Sequence, residues 1–137
     1  MEQSDYLLRQ IEMMARALAA LIRKLTGLKE EGSEEELHRD TNGVLKEQLD
    51  IRLDDIRKVP LEKIASWILA KKGMNRTNTE LMAEVLMLNA SVISDEKERS
   101  RLLQAALALY SWADKEDNTY SLERHKKMNE IKTMLYS

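Results

Sequence analysis

Two histidines are the first residues to weigh for chemistry. His38 stands three residues after Glu35, and a Glu-x-x-His pair on a helix is the spacing that carboxylate-bridged di-iron bundles use to turn both ligands toward one metal. Such a centre needs a second pair and further inward carboxylates. His125 has Leu122 at the matching position, so the second pair is missing. Residues 34–36 are three glutamates in succession, which makes a Glu at that offset nearly inevitable. His38 therefore reads as a surface histidine near the first turn of an acidic helix. The chain has no cysteine, which removes disulfides, thiolate zinc sites and cysteine nucleophiles together. Ser33, Ser91, Ser94 and Ser121 fall at capping or helix positions, where a hydroxyl needs no further reason. No glycine-rich loop precedes a helix, so a phosphate cradle is unsupported. The expectation is no catalytic residue, no cofactor and no metal; a helical-bundle enzyme or metal protein stays as an alternative, since sites assemble from distant residues.

Nucleic acid is a second class to test. Arg124-His125-Lys126-Lys127 and Lys71-Lys72 with Arg76 are short basic clusters, and Gly73–Thr77 joins two helical segments in the manner of a helix-turn-helix. The net charge of −2 argues against it, and so does the following helix, which carries Glu80, Met82 and Glu84 where donors to phosphates and base edges would be needed. A small regulatory DNA-binding protein is kept as the runner-up. For protein contact the candidates are late in the chain. Tyr110, Trp112 and Tyr120 cluster there, and aromatics with methionine are favoured at binding surfaces, although the same residues can close a C-terminal core. Asn89 lies at the edge of an apolar stripe, where it is either buried and bonded or lining a groove. Asn89, Tyr110 and Trp112 are the candidate interaction surface.

The elements that would position these residues are helices. With 137 residues, 43% apolar composition, no Phe and 8 Met, the core must be filled by Leu, Ile, Ala and adaptable Met, which suits close helix–helix contact. Leu7, Ile11, Met14, Leu18, Leu21, Leu25 and Leu28 alternate by four and three, predicting a first helix over about 4–26 that ends near Gly27. Arg9, Arg16 and Arg23 form a ridge on its far side, an acidic-partner face or a solvated one. The apolar stripe can pack within the chain or support a homodimer; its width favours the former. Ser33-Glu34-Glu35-Glu36 is a capping box that starts a second helix, weakened at Asn42-Gly43. The short loop between makes an antiparallel hairpin over 1–48. Residues 49–59 read as a connector with one helical turn. From Pro60, further helices are expected over about 60–73, 78–93, 95–115 and 121–135, giving about six in all and an all-α array over 60–137.

Two resemblances follow from residues. Ala106, Tyr110 and Ala113 have the small–aromatic–small spacing of the second helix of a tetratricopeptide repeat, with Asp117-Asn118 at the inter-repeat turn. From about residue 78 the chain is therefore tetratricopeptide-like, although the Trp and Leu-Gly positions of the first helix and the turn proline are missing. Such repeats stack paired helices into a groove that holds peptides. Asp5-Tyr6-x-Leu8-Arg9-x-Ile11-Glu12 resembles the start of an uncharacterised family of small all-helical bacterial proteins, a domain of unknown function, which implies a bacterial, cytoplasmic protein and no known activity. The absence of a basic, apolar leader and of an 18-residue apolar run predicts the same compartment and no membrane partner. The reading as a whole is a single helical domain acting as a non-enzymatic protein-interaction or scaffold module, through a helix groove or through first-helix dimerisation.

Overall fold

The long four–three alternation becomes one helix, α1 (Glu2–Glu31), in the computed structural model, which describes the backbone of residues 2–136 and the side-chain surroundings of residues 4–136. Gly27 does not end it. It sits exposed inside the helix with nothing within 4 Å of where a Cβ would lie. A helical glycine costs about 1 kcal/mol relative to alanine, too little to stop a helix held by the core on both sides of it. The chain reverses at Gly32 and Ser33 instead. Ser33 has extended dihedrals (φ −90°, ψ 161°), and its hydroxyl accepts the Glu36 N–H at 3.1 Å, so α2 (Glu34–Leu49) starts where the capping box places it. Ser33→Ala should cost about 1 kcal/mol in thermal or urea unfolding; an unchanged midpoint would show that the cap contributes nothing. Asn42-Gly43 lies within a continuous α2 and neither breaks it nor starts a new element.

The first two helices run antiparallel, with Lys24 opposite Asp40 at 3.5 Å. From Met14 onward the inner stripe is as expected: Met14, Leu18, Leu21 and Leu25 are at most 3% exposed. The start of that stripe is corrected, because Leu7 and Leu8 are exposed where α1 runs past the body. Arg9, Arg16 and Arg23 face solvent and make no ion pair among the described residues. Changing all three to Ala should move the unfolding free energy by less than about 0.5 kcal/mol, read from urea titrations; a large loss would show that the ridge holds the fold.

The connector holds a short helix, α3 (Leu53–Lys58), longer than the single turn expected. Leu49, Ile51, Leu53 and Ile56 all turn into the core. Both ends of α3 are held from afar. Asn42 Oδ1 on α2 accepts the Leu53 N–H at 2.8 Å, and the Arg101 guanidinium donates to the carbonyls of Ile56, Arg57 and Val59. Pro60 then precedes α4 (Leu61–Leu69), which stops well before Gly73. Gly73 serves the turn after it, at φ +87°, with the Gln10 carbonyl oxygen 2.8 Å from where a Cβ would stand. Only glycine combines that dihedral with so close an approach to α1.

Three helices complete the all-α chain, α5 (Arg76–Ser91), α6 (Glu96–Glu116) and α7 (Leu122–Tyr136), making seven helices and no strand among the described residues. None of the helices is long and apolar enough to cross a membrane. Asn75 caps α5 by accepting the Asn78 N–H, and Asp95 caps α6 by accepting the Lys97 N–H. Nine of the sixteen α5 residues are buried, because α5 lies between α1 and α6 and makes its largest contacts with both.

Candidate functional site: a groove between α5 and α7

The α5 and α7 helices run side by side in the same direction. Glu80 meets Arg124 at 2.8 Å and, one turn on, Glu84 meets Lys127 at 3.3 Å. A groove runs between them, and the Glu84–Lys127 pair borders both of its halves. Toward the C-terminal ends of the helices the groove encloses about 620 Å³ over Met87, Leu88 and Met134, with Lys29, Lys126 and Glu130 on its rim. Toward their N-terminal ends a polar continuation of about 460 Å³ is lined by Glu80, Tyr110, Asp117, Tyr120 and Arg124.

The polar half is organised by Arg124, whose side chain is only 3% exposed. Each nitrogen of its guanidinium has its own carboxylate. Nε donates to Glu80 at 2.8 Å, Nη1 to Asp114 at 2.9 Å and Nη2 to Asp117 at 2.7 Å. One side chain thus ties α5, the end of α6 and the α6–α7 loop to α7. Its position on the chain is set by Ser121, whose hydroxyl accepts the Arg124 N–H at 3.2 Å. Hydrogen bonds from Arg124 hold the carboxyls of Asp114 and Asp117 below the usual range, and the three acids raise the guanidinium pKa in return. Two of the acids take a second partner: Asp117 accepts from Arg76 through its other oxygen at 3.1 Å, and Asp114 Oδ1, which already accepts from Arg124, also meets His125 Nε2 at 3.1 Å. Tyr120 stacks on the His125 ring at 4.6 Å. The basic run 124–127 is therefore largely spent inside the protein on carboxylates, and does not form a free cationic patch.

The sequence-derived candidates separate here. Tyr110 lines the polar half at 3% exposure. Burial, and then the Glu84 and Glu80 carboxylates, push its hydroxyl pKa up, so it remains a neutral donor. Trp112 is half-buried and lies outside the groove lining. Asn89 is corrected from a surface residue to a core one. It is fully buried, and its Nδ2 donates to Thr41 Oγ1 at 2.8 Å and to the Val85 carbonyl at 3.0 Å. Asn78 does similar work at the other end of α5, donating to the carbonyls of Ile11 and Gly73. Arg124 and the Met87–Leu88–Met134 floor were not among the candidates. The available signal for Arg124 is its place in the series 124, 128, 131, 135, where it occupies the first position of the stripe that Met128, Ile131 and Leu135 continue along the inner side of α7.

His38 is also corrected. It is half-buried, and its Nε2 is closed off from solvent without a hydrogen-bond partner. Burial lowers its pKa below 6.5, with Arg57 adding to the effect and Glu34, Glu98 and Asp54 opposing it. The unfolded chain therefore takes up the proton more readily than the folded one, and stability should fall as pH drops through and below 6.5. Urea titrations between about pH 7 and pH 5 should show this slope in the native sequence and a flatter one in His38→Gln; equal slopes would mean that His38 is not its source. Among the described residues, no group of three or more His, Asp and Glu side chains is arranged to hold a metal ion. No protein-family model, curated protein or solved structure matches the chain.

Proposed function

We propose that this chain is a non-enzymatic protein-interaction module, with the α5–α7 groove as its binding surface. The observation that carries this reading is the groove itself. It has an apolar floor containing two flexible methionines, a charged rim, and a polar end held rigid by Arg124. Apolar pockets with a few placed polar groups are the usual form of a ligand site, and methionine allows such a surface to adapt to more than one side chain.

The tetratricopeptide-like reading of residues from about 78 is part of the proposal. It is supported by the parallel course of α5 and α7, by α6 packing on both, and by the burial of Ala106, Tyr110 and Ala113 along α6. In this reading α5 and α6 form one pair and α7 begins the next, so the groove lies where stacked pairs would hold a peptide. A bacterial cytoplasmic setting belongs to the same proposal and rests on the resemblance of residues 5–12.

Selection from a displayed library of short random peptides tests the reading. Enriched peptides should carry bulky apolar anchors and lose binding to Met134→Glu, while binding equally well to Arg23→Ala. Peptides that ignore Met134→Glu, or a selection that enriches nothing, would overturn it.

A further inference from the structure

We infer that the occupant of this groove is a second copy of the same chain, with the Leu7–Leu8 flank of one copy's α1 seated on Met87, Leu88 and Met134 of the next. The inference rests on the groove reading above and names its partner. The chain carries both halves of the contact. At one end of α1, the neighbouring Leu7 and Leu8 are 52% and 56% exposed, and apolar side chains grouped in this way on a protein surface mark an interaction site. At the other end, Lys29 stands on the rim of the groove. Leu8 and Lys29 are twenty-one residues apart on one helix, about 30 Å at 1.5 Å per residue. One copy therefore cannot bring its own patch to its own groove, whereas two copies can.

Charge selects this pairing over the alternative. Leu7, Leu8 and Ile11 share a helix face. Asp5 and Glu12, three residues before and four after Leu8, border that face, are exposed, and make no ion pair among the described residues. On the rim of the groove, Lys29 and Lys126 are likewise exposed and without an ion pair among the described residues, against a single unpaired acid, Glu130, so the rim is net positive. Seating the flank in the groove brings the two free acids toward the two free lysines. Pairing two such flanks about a two-fold axis would instead set acids against acids. The contact is heterologous, so it leaves one free patch and one free groove after every addition and grows into a ring or a filament.

Light scattering and sedimentation up to millimolar chain, with methyl NMR of the methionines, test this. The native chain should gain mass with concentration without stopping at a dimer, and the Met87 and Met134 methyl signals should shift as it does. Leu8→Glu alone and Lys29→Glu/Lys126→Glu alone should each abolish the growth. Mixing the two should restore only a two-chain species, the intact flank of the lysine-reversed copy seating in the intact groove of the Leu8→Glu copy. In a separate series, adding Asp5→Lys/Glu12→Lys to the lysine-reversed chain should rescue its own growth. All these changes lie on exposed positions, so each variant should melt as the native chain does. A native chain that remains monomeric overturns self-docking and leaves the groove reading to the peptide selection. Association that Leu8→Glu abolishes, while the lysine reversals and the Met87 and Met134 signals are unaffected, places the contact between two α1 helices and also overturns it.

Discussion

Leu18→Asp should leave the chain without a cooperative melt at neutral pH. Leu18 is fully buried in the stripe that joins α1 to the rest of the core. Removing its methyl groups alone, as in Leu18→Ala, should cost about 2–5 kcal/mol. The aspartate adds an ionised carboxylate with nothing to pair with it, and folding must then either desolvate the charge or protonate it. Together these losses approach the whole stability of a domain of this size, about 5–15 kcal/mol. Leu7→Asp belongs to the same four–three alternation yet should change stability by less than about 0.5 kcal/mol in dilute solution, because Leu7 is 52% exposed. Circular dichroism on the pair decides the matter. Similar melts for both variants would mean that α1 packs through another face.

Those two leucines also show where reading the sequence succeeds and where it stops. Periodicity identifies a helix and its apolar side, because one helix face repeats every three to four residues. It does not say how far the neighbouring helices extend, so the stripe appears uniform although only its part from Met14 onward is covered. Local capping is legible for the same reason: Ser33 needs only its own next turn. The short helix α3 reads as a connector in the sequence because what holds it is not local. Asn42 lies eleven residues before its first turn, and Arg101 lies 42 to 45 residues beyond the carbonyls of Ile56 and Val59 that it caps. Asn89 was ambiguous because its partner, Thr41, is 48 residues away. The groove was legible only as a class of feature. Its floor is built from Met87 and Leu88 on one helix and Met134 on another, and nothing in either segment alone predicts that they face each other.

Arg124→Met should lower the unfolding free energy by about 3 kcal/mol, near the low end for breaking a buried ion pair. The low end applies because the three acids remain 14–31% exposed and water can partly screen them once the guanidinium is gone. What is left behind is three carboxylates, from Glu80, Asp114 and Asp117, converging on one methionine. Arg124→Lys should recover only part of the loss, since a single ammonium cannot replace a planar fork that gives each acid its own nitrogen. The acid dependence separates this cause from simple loss of packing. In the native protein the lowered carboxyl pKa values of Asp114 and Asp117 contribute stability at neutral pH, and the contribution is lost as pH falls below the ordinary value of 3.8 toward the native ones. In Arg124→Met the same acids repel one another, and protonating them relieves the strain. The stability gap between the two proteins should therefore narrow as pH falls toward about 4 and below, measured by urea unfolding at each pH. A gap that stays constant across that range would mean that Arg124 supports the α5–α7 end of the molecule through its stem and not through its charge.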